Sequence, residues 1–458
     1  MEVRHEGHHH TANIKYGHFI ALVSLAHVGC IVLSRTVLKK YQLNNRIGLV
    51  ASFLLWSIII IGTTLINVDL SESYKTSIKR IGRLSYCLLP FDIFLILRPN
   101  FPIIRYLELI DLHKWMSRLI IACGLIHGVG YMVVWSIEGT LMVKSLKLLN
   151  FYGVIVFLAN CLLLIISIGF FRRRNYPYFY IIHNLTVWLF VYLISFHARP
   201  GVSVYTLVIT LLLGYQFYKK IGYLTTLKLH QHESSNLKII ELQNNFDFSP
   251  GSHIRLSYSY WDYRCWAYPT HPYTIAHSNL DSVYLVVKPY QFDFNASSKY
   301  CLTGPFNSTP DQFWTNSENI SIVVGGSGIS FGLPILTHLL AQGKLAHLFW
   351  SVKSQADLYI LNALNINHLD HITVHITGNE DEESFGLLSN DEIELQSLSN
   401  SNIKIGRFSF THLVSQLNKT NDDNKKWLVA CGPEPLVIDA KKFANNKKIQ
   451  ILTEIYSI

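Results

Sequence analysis

Charged side chains are scarce in this chain of 458 residues, where Asp, Glu, Lys and Arg make up 15% of the total, against about 25% in an ordinary soluble protein. Acidic residues are scarcest in residues 1–220, which hold 8 Asp and Glu against 22 Lys and Arg. Residues 221–458 hold 22 Asp and Glu against 17 Lys and Arg. Half of the chain is apolar, which excludes a disordered chain. The composition indicates a basic membrane domain followed by a mildly acidic soluble part. Because the positive charges lie between apolar runs and not in one patch, nucleic acid is not an expected partner.

Cysteine is scarce as well, and the seven cysteines include no Cys-x-x-Cys pair. An odd number without paired spacing excludes a disulfide framework and a structural zinc site. A small-residue cleavage signal is also missing after the first apolar run, so we expect this run to stay in the protein as a membrane span. The histidines near the start, His5 and His8 to His10, either recruit metal ions or belong to a solvated tail.

Long apolar runs are abundant, and a bilayer crossing needs about 20 mostly apolar residues. Seven runs qualify: residues 17–34, 47–66, 82–98, 113–135, 150–171, 179–197 and 202–218. The third is the weakest, since it holds Pro90 and Asp92. Lys and Arg concentrate in alternate loops, which predicts an N-terminus that is extracellular or luminal and a cytosolic tail. The composition leaves the plasma membrane and the endoplasmic reticulum open as locations.

Seven spans with an external N-terminus are also the topology of a G-protein-coupled receptor, but the histidine spacing argues against a receptor. His113 and His127 are 14 residues apart in the fourth span, and His183 and His197 are 14 apart in the sixth. Fourteen residues of helix rise about 21 Å and return to within about 40° of the same face. The two spans run parallel, so His113 can face His183 and His127 can face His197. Such paired imidazoles are suited to hold two stacked haems.

Three motifs follow in the second half of the chain. Residues 271–275 read His-Pro-Tyr-Thr-Ile, and residues 431–433 read Cys-Gly-Pro after an apolar strand. Between them, residues 325–330 read Gly-Gly-Ser-Gly-Ile-Ser, at the end of another apolar strand. Glycines let the backbone approach a pyrophosphate, and the N-terminus of the following helix attracts its charge.

The histidine pairs and these motifs together resemble the ferric reductase and NADPH oxidase superfamily over about residues 80–458, and most closely its short yeast metalloreductases. The resemblance implies a multi-pass α-helical membrane domain at residues 1–220 with two b-type haems. A cytosolic ferredoxin-reductase-like module is expected to follow, with an antiparallel β-barrel FAD domain at 221–315 and an α/β NADPH domain at 316–458.

The resemblance also implies roles for individual residues. The haem irons would be bound by His113, His127, His183 and His197. FAD would be bound by His271, Pro272, Tyr273, Thr274, Ile275 and Lys288. NADPH would be bound by Gly325, Gly326, Ser327, Gly328, Ile329, Ser330, Lys353, Cys431, Gly432 and Pro433. Cys431 is the catalytic candidate, with its thiol beside the nicotinamide ring. Lys353 stands where the family often has an Arg for the 2′-phosphate, which favours NADPH over NADH.

The chain departs from the family pattern near the FAD phosphates. Lys288 keeps the basic position, but Pro289 to Asp293 replace the usual Gly-x-Thr/Ser element. Near the C-terminus only Tyr456 is available as an aromatic cover for the flavin. The acidic residues Glu380 to Glu383 and the Ser/Asn-rich residues 387–402 are interpreted as a solvated insertion without a function.

The resemblance implies a transmembrane metalloreductase, which passes electrons from cytosolic NADPH through FAD and two haems to ferric or cupric ions outside the cytosol, in iron and copper homeostasis. The alternative is an NADPH oxidase that reduces O₂ to superoxide. A receptor or degenerate scaffold is a third interpretation, and the complete set of four histidines and the Gly-rich turn argue against it.

Overall fold

The computed structural model of the chain describes residues 2–36, 45–69, 71–99, 109–199, 201–243, 246–288, 292–307, 309–378, 402–417 and 425–455. The chain divides into two compact units, Met1–Lys219 with Ala267–Pro269, and Lys220–Trp266 with Thr270–Ile458. Some predictions lie outside the described residues: those on Pro289 to Gln291, on Tyr456, on nearly all of the solvated insertion and on the side chains of the His-rich start.

The described part of the first unit is helical. Its seven long helices are α1 (Glu2–Thr36), α2 (Asn45–Leu65), α3 (Tyr74–Ile96), α4 (Ile110–Ile137), α6 (Leu148–Ile166), α8 (Tyr176–His197) and α9 (Ser203–Ile221), with short helices α5 (Leu141–Ser145) and α7 (Gly169–Arg174) between them. Among the described helices, five are long and apolar enough to cross a membrane: α1, α2, α4, α6 and α8. Helices α3 and α9, on which the third and seventh predicted spans lie, do not reach this apolarity. The multi-pass helical class is therefore confirmed. The fifth expected span is shorter than predicted, since α6 ends at Ile166 and α7 begins at Gly169.

Helix α3 explains why the third span looked weak in the sequence. Pro90 does not end this helix, and Asp92 is buried on it. Arg80 is buried too, and its guanidinium donates hydrogen bonds to the carbonyl of Ile66 at 2.7 Å and to Asn13 Oδ1 at 2.9 Å. The helix is enclosed by its neighbours, so Arg80 and Asp92 have polar partners and need not face lipid. Surrounding helices instead expose large apolar side chains, such as Leu25, Ile58, Leu158 and Leu211.

The second unit begins with an antiparallel sheet. Its strands are β1 (Tyr223–Thr225), β2 (Leu227–Gln231), β3 (Lys238–Leu242), β4 (His253–Tyr258), β5 (His271–Ser278), β6 (Val283–Val287) and β7 (Tyr300–Phe306), with helix α10 (Tyr263–Ala267) after β4. The spatial order is β1-β7-β4-β5-β6-β3-β2. Alternate side chains of these strands turn inwards and form one hydrophobic cluster that includes Ile240, Leu256, Ile275, Leu285 and Leu302.

A parallel sheet with helices follows. Its strands are β8 (Asn319–Gly325), β9 (Leu345–Val352), β10 (Ile372–Ile376), β11 (Ile403–Ile405), β12 (Lys426–Gly432) and β13 (Gln450–Ile455), and its helices are α11 (Asp311–Asn316), α12 (Ile329–Ala341), α13 (Tyr359–Ala363), α14 (His412–Leu417) and α15 (Glu434–Lys447). Every residue of β8 is buried, as expected for a parallel strand covered on both faces. The strand order, β11-β10-β9-β8-β12-β13, reverses between β8 and β12. Ligands of such sheets bind outside the carboxyl ends of the strands at this reversal. The ferredoxin-reductase-like class of this unit is confirmed.

Candidate functional site

Helices α4 and α8 bring the four histidines together in the expected pairs. The rings of His113 and His183 have centroids 6.3 Å apart and planes at 89°, and those of His127 and His197 have centroids 6.1 Å apart and planes at 75°. Because both pairs meet in the same order along the chain, the two helices run parallel. The 14-residue spacing thus produces two histidine pairs at different heights between the same two helices.

The ring separations fit an iron between the imidazoles. A metal-bound imidazole nitrogen lies about 2.0 Å from the ion and about 1.1 Å from its ring centre, so two imidazoles on opposite sides have centres about 6.2 Å apart. Among the described residues, no group of three or more His, Cys, Asp or Glu side chains is placed to hold a metal ion. Each pair offers two ligands, which suits haem, because the porphyrin supplies the other four.

Three of the four histidine rings, those of His113, His127 and His197, are oriented by a hydrogen bond at Nδ1. His127 donates from Nδ1 to the carbonyl oxygen of Ile78 at 2.7 Å, and His197 to that of Leu149, also at 2.7 Å. A carbonyl oxygen only accepts, so Nδ1 carries the hydrogen and Nε2 is left free for a metal. The Nδ1 atom of His183 is buried and has no hydrogen-bond partner within the described ranges.

His113 has a different anchor from the other histidines. Its Nδ1 lies 3.0 Å from Oδ1 of Asp92 and 3.3 Å from the backbone oxygen of the same residue. The hydroxyl of Ser117 donates to the other carboxyl oxygen, Oδ2, at 2.7 Å. A carboxylate behind a ligating imidazole both orients the ring and raises its basicity.

Two glycines make room for the second histidine pair. An added Cβ at Gly82 on α3 would lie 2.5 Å from Nδ1 of His127, and one at Gly153 on α6 would lie 2.9 Å from Cε1 of His197. Sequence reasoning missed both glycines and the role of Asp92. The available signals were small residues within apolar helices and an acidic residue inside a span.

The Gly-rich turn and the Cys-Gly-Pro motif touch each other at the reversal of strand order. A Cβ at Gly328 would lie 2.6 Å from the carbonyl oxygen of Cys431. Gly432 has a φ of +147°, and its added Cβ would lie 3.0 Å from the backbone nitrogen of Gly325. Glycine is needed where the two backbones approach this closely. Pro433 follows and occupies the N-cap position of α15, without a side-chain hydrogen bond to the helix.

The turn has an open side at Gly326. This residue has a φ of +54°, and an added Cβ would meet nothing within 4 Å. The indole of Trp350 on β9 is fully buried and donates from Nε1 to the Gly326 carbonyl at 2.9 Å. The N-terminus of α12 follows at Ile329, so an open Gly-rich turn leads directly into the first turn of a helix, the arrangement that binds phosphates in other proteins.

Not every residue of the Gly-rich motif faces this opening. Ser330 is 1% exposed, and its hydroxyl donates to the carbonyl of Val286 at 3.0 Å and accepts from the Val286 N–H at 3.1 Å. Ile329 is fully buried in the cluster that α12 shares with Val286 and Ala276 of the antiparallel sheet. These two side chains therefore join the two sheets of the unit and are not open to a ligand.

Cys431 and Lys353 differ in exposure. Cys431 is 0% exposed and belongs to the cluster around α12. Lys353 is exposed and follows the carboxyl end of β9, the strand beside β8. Both residues therefore lie at the edge of the parallel sheet where the Gly-rich turn is found.

The His-Pro-Tyr-Thr-Ile segment forms the first part of β5. Tyr273 lies 5.5 Å from Phe294, and His271 lies 4.9 Å from Phe292, between ring centroids. Thr274, next along the strand, points to the opposite face and is buried. Burial, and secondarily the charge of Arg255, lowers the pKa of His271 to about 4, so this imidazole is neutral near pH 7.

The remaining flavin candidates differ in their surroundings. Ile275 is fully buried in the core of the antiparallel sheet, and Pro272 is exposed. Lys288 is exposed directly after β6. The segment that departs from the family pattern contributes Phe292 to the aromatic cluster beside Tyr273. Sequence reasoning missed this cluster, although the aromatic residues of the segment were the available signal.

A helical membrane domain joined to a ferredoxin-reductase-like module defines the class of membrane-bound oxidoreductases whose soluble part binds a flavin and NAD(P). The family model "Ferric reductase like transmembrane component" matches residues 81–194, and "Ferric reductase NAD binding domain" matches residues 317–445. Similar relatives include "Probable metalloreductase AIM14" of Debaryomyces hansenii, 43% identical over 99% of this chain and 98% of the relative, and that of Scheffersomyces stipitis, 38% identical over 100% and 98%. The protein of the same name from Yarrowia lipolytica is 30% identical over 100% of both chains. The chain therefore belongs to the ferric reductase family, together with these yeast proteins.

Proposed function

We propose that this chain is a transmembrane metalloreductase, which uses cytosolic NADPH to reduce ferric or cupric ions on the other side of the membrane. The observation that carries the proposal is the two histidine pairs, whose ring centroids lie 6.3 and 6.1 Å apart. The same chain has a parallel sheet whose strand order reverses at the Gly-rich turn, as in nucleotide-binding folds. A nucleotide-binding module and two histidine pairs that could each hold a haem iron would together form a transmembrane electron path. The relatives are themselves named probable metalloreductases.

Two b-type haems, FAD and NADPH are the proposed cofactors. His113 and His183 would bind one haem, and His127 and His197 the other. When bound, NADPH supplies a hydride, FAD divides its two electrons, and the haems relay them singly to the acceptor. The protein's part is to hold these groups and to orient them: the carbonyls of Ile78 and Leu149 hold the rings of the second pair with Nε2 free.

For the nucleotides, we assign the phosphates to the parts of each motif that the structure leaves open. The pyrophosphate of NADPH would lie on Gly326, beside the first turn of α12, and Lys353 would face the 2′-phosphate. The Cys431 thiol would lie beside the nicotinamide. Tyr273 and Thr274 would contact the flavin, and Lys288 its phosphates. Buried Ser330 would act by joining the FAD and NADPH domains, which we place at 221–315 and 316–458.

We propose an external or luminal N-terminus and a cytosolic tail, on the basis of the Lys and Arg pattern of the loops. This orientation places His113 and His183 on the cytosolic side of the membrane domain of residues 1–220. The plasma membrane and the endoplasmic reticulum are the proposed locations. Digestion of the tail by protease only from the luminal side of sealed vesicles would contradict the orientation.

The test of function is NADPH-driven reduction of a ferric chelate and of O₂ by the purified protein, with and without superoxide dismutase. We expect iron reduction that the dismutase does not inhibit, and its loss when His127 or His197 is replaced by Leu. Complete inhibition by the dismutase would instead identify superoxide as the product, with iron as its reporter, and would make the protein an NADPH oxidase.

A further inference from the structure

Asp92 is a buried acidic residue that the electron path described above does not use. Its side chain is 5% exposed, and it lies on α3 inside the helical unit. With Nε2 of His113 as the proposed iron ligand, Nδ1 carries the hydrogen and donates to one carboxyl oxygen of Asp92 at 3.0 Å. The hydroxyl of Ser117 donates to the other carboxyl oxygen at 2.7 Å. A carboxyl group that accepts at both oxygens behaves as a carboxylate. Within the part of the chain that the structure describes, no Lys or Arg forms an ion pair with it.

The other three proposed haem ligands have no such anion. His127 and His197 donate to neutral carbonyl oxygens, those of Ile78 and Leu149. His183 has no hydrogen-bond partner at Nδ1 among the described residues. A carboxylate hydrogen bond therefore distinguishes one histidine pair from the other, although the two pairs have nearly equal ring separations.

We propose that Asp92 is a positioning residue that sets the reduction potential of the haem at His113 and His183 below that of the haem at His127 and His197. This inference rests on the proposed function. A carboxylate that accepts from Nδ1–H increases the basicity of the imidazole. A more basic ligand stabilises ferric iron more than ferrous iron, which lowers the potential. The effect is strong here because the carboxylate is buried, where the effective dielectric constant is low.

The proposed asymmetry has a direction that matches the electron path. With the orientation given above, Asp92 acts on the pair nearer the cytosol, where electrons enter. A lower potential at the entry side makes transfer towards the outer side downhill. Asp92 would thus give the membrane domain its direction as well as holding His113 in place.

The experiment isolates one haem and measures its potential. In a His127→Leu background only the haem at His113 and His183 should remain, so an optical redox titration has a single step. Adding Asp92→Asn keeps the size and one acceptor oxygen but removes the charge. We expect the midpoint to rise by the equivalent of at least a tenfold change in the reduction equilibrium, about 59 mV for one electron, with haem content unchanged.

The outcomes separate the inference from the function on which it rests. One bound haem with an unchanged midpoint would overturn the role of Asp92 and leave the ligand assignment intact. If the His127→Leu protein still bound two haems, the ligand assignment itself would be wrong. Ser117→Ala is the second variant, for use if the Asp92→Asn protein does not retain haem. It withdraws one hydrogen bond from the carboxylate and leaves its charge. The carboxylate then accepts more strongly from His113, so a lowered midpoint supports the charge effect, and an unchanged or raised midpoint overturns it.

Discussion

Replacement of Gly82 by Ala tests whether the second histidine pair holds a haem. The new Cβ would lie 2.5 Å from Nδ1 and 2.6 Å from Cγ of the His127 ring, whereas ordinary contacts begin near 3.4 Å. The ring must therefore move by about 0.9 Å, while metal–ligand distances tolerate about 0.2 Å. The same movement disturbs the 2.7 Å bond from Nδ1 to the Ile78 carbonyl. We expect one of the two haems to be lost.

The measurement is the haem-to-protein ratio of the purified variant, with the optical spectrum of the haem that remains. Gly62→Ala on α2 is the matched control, because a Cβ there meets nothing within 4 Å. Alanine is favoured over glycine in a helix by about 1 kcal/mol, so the control should be at least as stable as the parent protein. A Gly82→Ala protein with two haems and an unchanged spectrum would refute the reasoning. Loss of both haems would show that Gly82 supports the whole bundle and not this pair alone.

Three further predictions concern the soluble module and its nucleotide. Ser330→Ala removes the hydroxyl that pairs with the buried N–H and carbonyl of Val286, so we expect it to lower the unfolding free energy of the soluble module by about 1–3 kcal/mol. The measurement is the urea midpoint of unfolding in the full chain. Ser327→Ala, in the Gly-rich turn, should shift this midpoint less, and equal shifts would contradict the role of Ser330 in joining the two sheets. Lys353→Ala should raise the KM for NADPH far more than the KM for NADH, because it removes the charge that we propose faces the 2′-phosphate. Equal effects on both KM values would show that Lys353 is a solvated surface residue. Cys431→Ala should lower kcat for NADPH oxidation while the haem spectrum and haem content stay unchanged, and an unaltered turnover would make Cys431 a packing residue only.

The sequence alone predicted what depends on local chain geometry. The 14-residue intervals between His113 and His127 and between His183 and His197 predicted the observed pairing, because the pitch of a helix determines which residues share a face. The Gly-rich and Cys-Gly-Pro motifs were likewise recognisable in the sequence as candidate nucleotide-binding turns, since a close approach of two backbones requires glycine. The division into a membrane domain and a soluble part followed from the separation between an apolar, basic half and a mildly acidic half. The ferredoxin-reductase-like fold of the soluble part was implied by the family resemblance.

The tertiary structure decided which side chains serve each motif, because those contacts join distant parts of the chain. In the sequence, Asp92 made residues 82–98 the weakest of the predicted membrane spans. In the structure it lies on the enclosed helix α3 and forms a hydrogen bond with His113, 21 residues later in the chain. Ser330 belongs to a nucleotide motif by pattern, but its hydroxyl binds Val286, 44 residues earlier. Gly82 is significant only because His127 lies against it. Helix periodicity is a property of a single segment, whereas these partnerships depend on which segments pack together, and neither composition nor spacing specifies that packing.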